Sequence, residues 1–353
     1  MVFQIFENKF YMIERLEYID ALKGFAILLV VIGHVIPWSF LAFEDVTSMS
    51  PCPVLLWKII YSFHMPLFIF ISGFLFGQSH FYSFKEYVMK MWKKTKMLLI
   101  PYVACGILVF MWRGVREWTY WYLLTLLQLL ILVGGIYFFV DKIKNSRTKL
   151  VAEVVALGGA GLLLQLIHKV YDSPVLYAFY EWFPHLCDMY WYFVFGSFLM
   201  RHVNVCKIMN KNIYSVSLLF FCVNCCIKIP FTSFMGVSLQ SLSAIYCCLY
   251  IFVECFTNGI VVDYFKRIGK KSLHIYILHL FFAVKITQLG DYFIALSSAS
   301  RMEFVTVFVI QLFFSLTVSL IIIELCLYTG KIIKTSPLFA FVLFGESISV
   351  KRE

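Results

Sequence analysis

Residues 15–38 read RLEYIDALKGFAILLVVIGHVIPW, and the reading of the whole chain turns on them. Arg15, Glu17, Asp20 and Lys23 form a charged segment that runs straight into GFAILLVVIG, and His34 then stands where a lipid-facing helix would carry leucine. Lys23 and His34 are 11 positions apart. At ~100° per residue that is close to three full turns, so both side chains share one stripe, ~16 Å apart along the axis. A cation at the cytoplasmic mouth and an imidazole deeper on the same face read as two stations along one path. They read equally as an interfacial lysine below a histidine satisfied by a neighbouring helix.

The 353 residues are 61% hydrophobic and 14% charged, where a soluble protein carries nearer a quarter of charged residues. Apolar runs of ~18 residues or more recur from end to end, which identifies an all-α, polytopic integral membrane protein. A spanning barrel would alternate apolar and polar residues, and these runs do not. Ten spans are predicted, at 19–38, 58–77, 97–113, 119–140, 150–168, 185–200, 211–229, 239–262, 272–289 and 304–329. The implied organisation is a cytoplasmic segment 1–18, a membrane domain 19–329 and a cytoplasmic tail 330–353.

With the N-terminus inside, only six of the 30 Lys and Arg lie outside (Lys58, Arg113, Arg116, Lys169, Lys228 and Arg301), and Lys285 lies within a span. This asymmetry is the positive-inside rule and predicts both termini in the cytoplasm. The formal charge of +10 is therefore topological and implies no nucleic-acid partner. Span one is too long for a signal-peptide core and no small-residue cleavage site follows it, so it is expected to remain as an anchor. Met12 directly precedes the charged stretch, which makes residues 1–11 a dispensable extension on this reading. The cysteines of the CVNCC run (Cys222, Cys225, Cys226) are expected to pack in the core. Cys52 and Cys187 fall in outer loops and could pair in an oxidising exterior.

Span two carries His64 and Pro66 near its outer end. Pro66 lacks a backbone donor, so it should kink or delay the helix and free a carbonyl close to His64. Ser72 and Gly73, further inward, make a thin face on which another helix can approach closely. His34 and His64 thus fall in the outer halves of adjacent antiparallel spans, and intramembrane ionisable residues are functional candidates by default. The next stretch, SHFYSFKEYVMKMWKKTKMLLIPY, is the most basic of the chain and reads as a cytoplasmic loop. Lys93 and Lys96 are three apart in it, on one helical face immediately before the next span, suited to anionic lipid head groups or to the phosphates of a cytoplasmic cofactor. The outer segment KVYDSPVLYAFYEWFPHLCDMYWYF reads as an interfacial aromatic belt, or as an acceptor site for sugar rings. Span nine opens RIGKKSLHIYILH, with Tyr276 and His279 three apart on one face. The tail PLFAFVLFGESISVKRE suits a short interfacial helix. No internal repeat, GxGxxG, P-loop, HExxH or GxSxG is present, and the histidines lack the carboxylates that usually accompany them in metal sites, so no metal is expected.

Four stretches together resemble the membrane acyltransferase-3 family, multi-span O-acyltransferases of bacterial surface glycans. Lys23-x10-His34 within YIDALKGFAILLVVIGH is similar to that family's Arg/Lys-x10-His signature, and SFHMPLFIFISGFLFG to its second-span motif. KKTKMLLIPY resembles the basic pair before the third span, with Lys93 and Lys96 in place of two arginines and without their bidentate fork. GKKSLHIYILH resembles the late motif ending in Tyr276 and His279. The stand-alone fucose and exopolysaccharide O-acetylases are the most similar subgroup.

The resemblance implies a multi-pass enzyme of the bacterial plasma (inner) membrane. It would transfer an acetyl group from cytoplasmic acetyl-CoA to a hydroxyl of a surface, exported or lipid-linked glycan. His34 would serve as general base or acyl relay, with His64, Lys23 and His279 completing the catalytic set. Lys93, Lys96, Lys23 and Tyr276 would contact acetyl-CoA, the acyl donor. Besides donor and acceptor, membrane lipid is the expected partner. Acyl transfer from a thioester needs a base near neutral pKa and donors for the developing oxyanion, which these residue types supply. The rival reading is a transporter or flippase for a lipid-linked sugar, which would use the same buried polar groups as a path.

Overall fold

The computed structural model describes residues 2–37, 51–113, 120–169, 183, 185–226, 233–234, 237–256, 258–283 and 301–346. In chain order the helices are α1 (Val2–Val35), α2 (Pro51–Tyr61), α3 (His64–Phe76), α4 (Phe84–Arg113), α5 (Trp121–Val140), α6 (Ser146–Lys169), α7 (Leu186–His202), α8 (Val205–Ile208) and α9 (Lys211–Cys226). A two-residue hairpin follows, β1 (Ser233–Phe234) paired antiparallel with β2 (Val237–Ser238). The chain continues through α10 (Leu239–Tyr250), a π-helical turn at Ile251–Cys255, α11 (Ile260–Gly269), α12 (Ser272–Phe282), α13 (Arg301–Ile333) and α14 (Pro337–Phe344).

The protein is helical and built for a membrane. Among the described residues six segments are long and apolar enough to cross one: Glu17–Val35, Leu55–Phe76, Phe84–Trp112, Trp121–Val140, Ser146–Ile167 and Phe308–Ile333. The other four expected spans fall on the shorter helices α7, α9, α10 with its π turn, and α12. Both ends of the expected membrane domain lie within helices, because α1 is already helical from Val2 and α13 continues to Ile333.

Several boundaries differ from expectation for identifiable reasons. The basic stretch read as a loop is helical from Phe84, and Lys93 and Lys96, expected on one helical face, stand on α4. Ser83 and Glu86 cap its start: the Glu86 N–H donates to Ser83 Oγ at 3.2 Å, and the Tyr82 N–H to Glu86 Oε2 at 3.2 Å. The eighth expected span, 239–262, ends early, and α11 begins only after Gly259, whose φ of +120° suits glycine alone. Span two breaks at Ser62–Phe63, as Pro66 requires. Pro66 cannot donate to the Ser62 carbonyl, and Ser241 Oγ donates to it instead at 2.6 Å.

The chain forms two compact units. The first comprises Met1–Phe68, Met209–Ile229 and Gln240–Ile333; the second comprises Ile69–Ile208, Pro230–Leu239 and Lys334–Glu353. In the first, α1 is central and packs on α2, α11, α12 and α13. Its contact with α11 is backbone on backbone: a Cβ at Gly24 would stand 2.0 Å from the Phe265 carbonyl oxygen, and one at Gly269 1.8 Å from that of Asp20. In the second, α3 and α7 meet the same way, with Gly73 against Phe193 and Gly196 against Phe70, so the close approach expected at Ser72–Gly73 is made. Further out, α5 packs on α4, α6 and α7, and α14 packs on α4. Pro101 leaves the Met97 carbonyl without its helical partner, and the left-handed Gly345 turn that ends α14 lies against Met97.

The cysteine expectations need correction. Cys187 is a free, buried thiol beside the Leu164 carbonyl (3.4 Å), and the Cys52 side chain lies outside the described residues. In the CVNCC run Cys222 is exposed and Cys225 half-buried, because α9 turns that face outward rather than into a core; the Cys226 side chain lies outside the described residues. The first outer loop, Lys285 and most of the aromatic outer segment also lie outside them.

Candidate active site

Three histidines come from three helices of the first unit. His34 is in the last turn of α1, His64 opens α3, and His279 sits in α12. The His34 and His279 rings meet edge-to-face, with centroids 5.0 Å apart. His64 and His279 are each 2% exposed, and His34 is half-buried. The ring contact of His34 is with His279, 245 positions along the sequence.

Each ring is held the same way. His34 Nδ1 lies 2.8 Å from the Val30 carbonyl oxygen, His64 Nδ1 2.9 Å from that of Ile60, and His279 Nδ1 2.7 Å from that of Tyr276. A carbonyl only accepts, so in each ring Nδ1 carries the proton. In the neutral imidazole the basic lone pair is then on Nε2. Three rings with their tautomer set by the preceding helical turn form a proton-accepting cluster, and no soluble loop is needed to build it.

The flanking residues follow from local spacing. Tyr61 stacks on Trp57 (4.0 Å) and leans on His64 (4.6 Å), and its ring edge lies 3.0 Å from where a Cβ of Gly33 would be. Gly33 thus leaves room for an aromatic beside His34. Neither Trp57 nor Tyr61 was identified from the sequence; their i, i+4 spacing one turn before His64 was the available signal. Tyr276 is buried, with its ring 5.9 Å from His279. Lys23 is partly exposed and paired with Asp20 on its own helix at 2.7 Å. The unbroken α1 between them puts Lys23 and His34 on one stripe.

Lys93 and Lys96 belong to the second unit and are exposed on α4, with Lys96 Nζ 5.1 Å from the centre of the Trp92 ring. In the same unit lies a buried ionic network that sequence reasoning missed. Arg201 Nη2 donates to Asp141 at 2.5 Å, Nη1 donates to the Ser79 carbonyl at 3.0 Å, and Nε is 3.4 Å from Glu153. Lys149 pairs with Asp141 at 2.8 Å and His202 with Glu153 at 3.0 Å. The Arg201 guanidinium also stacks 4.0 Å over Tyr137. Burial opposes ionisation of Asp141, yet Lys149, Arg201 and the Phe81 N–H outweigh it and hold the carboxyl below its ordinary value. Among the described residues no group of three or more His, Cys, Asp or Glu could hold a metal ion.

The family described as "Acyltransferase domain", acyltransferase family 3, matches residues 16–324. Nodulation protein NolL of Mesorhizobium japonicum is similar over 82 residues at 37% identity, covering 23% of this chain and 20% of that protein. The chain thus spans a fifth of that relative's length. No solved structure matches it.

Proposed function

This chain belongs to the acyltransferase-3 family and is an acyltransferase, and from that premise we propose that it moves an acetyl group from cytoplasmic acetyl-CoA to a glycan hydroxyl. The acceptor glycan is on the surface, exported or lipid-linked, and the membrane is the bacterial plasma membrane. The observation that carries the reading is the His34–His279 ring contact, at 5.0 Å between centroids.

In the proposed reaction His34 Nε2 takes the proton of the acceptor hydroxyl. The alkoxide oxygen attacks the thioester carbonyl, the C–S bond breaks, and the imidazolium returns its proton to the departing thiolate. Tyr276 supplies a hydrogen-bond donor to the oxyanion, and His64 and His279 complete the cluster. Lys23 marks the cytoplasmic mouth, with Lys93 and Lys96 as phosphate contacts for the donor.

The test compares base-labile esters on surface glycans from a deletion strain complemented with the unaltered gene or with His34→Ala. At equal membrane abundance, the unaltered protein should restore an ester and the variant should not. Normal acetylation by His34→Ala would remove His34 from the mechanism. No restored ester from the unaltered protein, in whole-cell glycan and lipid extracts alike, would remove the glycan acceptor.

A further inference from the structure

Trp57, Tyr61 and His64 are spaced four and three residues apart, so they form one stripe that crosses the break between α2 and α3. Exposure falls along it: Tyr61 is 37% exposed and Trp57 half-buried, whereas His64 is 2% exposed. Lys58, exposed beside Trp57, marks the water end of α2. The Trp57 and Tyr61 rings stack with centroids 4.0 Å apart, and the Tyr61 ring lies 4.6 Å from that of His64. His34 is itself half-buried, so both the aromatic pair and the proposed base keep accessible surface.

Aromatic side chains near a membrane surface commonly do no more than anchor a helix in the interface. Two features set this pair apart. An anchor needs only its own contact with the interface, whereas Trp57 and Tyr61 are stacked on each other at i, i+4. The second feature is Gly33, the residue before His34, where a Cβ would stand 3.0 Å from the Tyr61 ring edge. Glycine at that position admits the ring. The pair is thus built against the turn of α1 that carries His34.

A rigid aromatic wall beside a base selects among hydroxyl compounds by shape. The face of an aromatic ring is electron-rich and attracts polarised C–H bonds. A sugar ring presents several such bonds as one flat face, which water or an acyclic alcohol does not. Tyr and Trp offer this surface at low entropic cost, because two torsions fix each ring. We propose that Trp57 and Tyr61 form the acceptor wall of the site, on which a sugar ring stacks so that one of its hydroxyls reaches His34 Nε2. They are then specificity-determining residues, an assignment that rests on the glycan acceptor of the proposed function.

The test uses the purified full chain in nanodiscs with acetyl-CoA as donor. The acceptor is the glycan extract of the deletion strain, titrated by its sugar content. Trp57→Leu removes the aromatic face and keeps apolar bulk, whereas Trp57→Phe keeps a face. Trp112→Leu, at a 73% exposed tryptophan near the far end of α4, is the control for interfacial anchoring. The expected result for Trp57→Leu is about a tenfold higher KM for glycan, with kcat and the KM for acetyl-CoA unchanged. Trp57→Phe should recover most of that loss, and Trp112→Leu should show none of it. An unchanged glycan KM in Trp57→Leu would overturn the inference, even if kcat fell. Equal effects of Trp57→Leu and Trp112→Leu would overturn it too, by reducing the pair to an anchor. If the unaltered chain esterified nothing in the extract, the glycan acceptor would fall and the inference with it, a result distinct from a wall that fails to discriminate.

Discussion

At the residue scale the molecule keeps two kinds of buried polar group, and they obey different rules. The histidines are neutral rings whose Nδ1 protons are held by carbonyls of their own helices, so each is assembled locally. That local character is why Lys23-x10-His34, His64 and His279 were legible in the sequence. Arg201 is the opposite case: its partners Ser79, Asp141 and Glu153 come from distant parts of the chain. Read in one dimension they are ordinary topological charges, and only packing takes them out of water. Replacing Arg201 with Met should leave two buried carboxylates without their shared cation and cost ~3–5 kcal/mol, read as a lower melting temperature in detergent. Asp141 adds a pH dependence. Its folded-state carboxyl lies below the ordinary value of 3.8, so its contribution is complete above about pH 5 and is lost as pH falls through the folded value. Melting temperature should therefore drop in acid for the unaltered chain, and Asp141→Asn should remove that part of the drop while lowering stability at neutral pH.

At the element scale, backbone contacts between helices position the site. The α1–α11 seam leaves no room for a side chain at Gly24 or Gly269. Gly269→Ala would drive a Cβ into the Asp20 carbonyl and should destabilise the first unit by ~1–3 kcal/mol, with loss of acyl transfer because His34 rides on α1. Thermal unfolding and transfer measured together check this; retained activity at unchanged stability would contradict the seam. The break at Ser62–Phe63 is a second device. Ser241→Ala would leave the Ser62 carbonyl unmet and should cost ~1 kcal/mol, with a modest loss of transfer through His64. Pro66 announced this break, because a missing N–H acts within one turn. The early start of α4 was also announced, by Ser83 and Glu86, and the basic charges of that stretch obscured it. The partner of the Ser62 carbonyl was beyond reach, since Ser241 is brought there only by the fold.

At the scale of the whole molecule, charge and hydropathy act on the chain before any tertiary contact forms. The excess of Lys and Arg between alternate spans predicts both termini in the cytoplasm. Single cysteines placed at residues 9 and 351 in a cysteine-free background should label only after the inner face is opened, and labelling in intact cells would contradict that topology. The sequence by itself determined the helical membrane class, the acyltransferase-3 motifs and the identity of the three histidines. Each of these depends on composition or on spacing within a few helical turns. The tertiary structure alone decided that His34 meets His279 edge to face, that Arg201 joins Asp141 and Glu153 in a buried network, and that α13 turns its serines inward. The physical reason is common to all three. A lipid-facing helix and a protein-facing helix satisfy their backbones identically, so the sequence marks which polar side chains must avoid lipid but not which partner receives them.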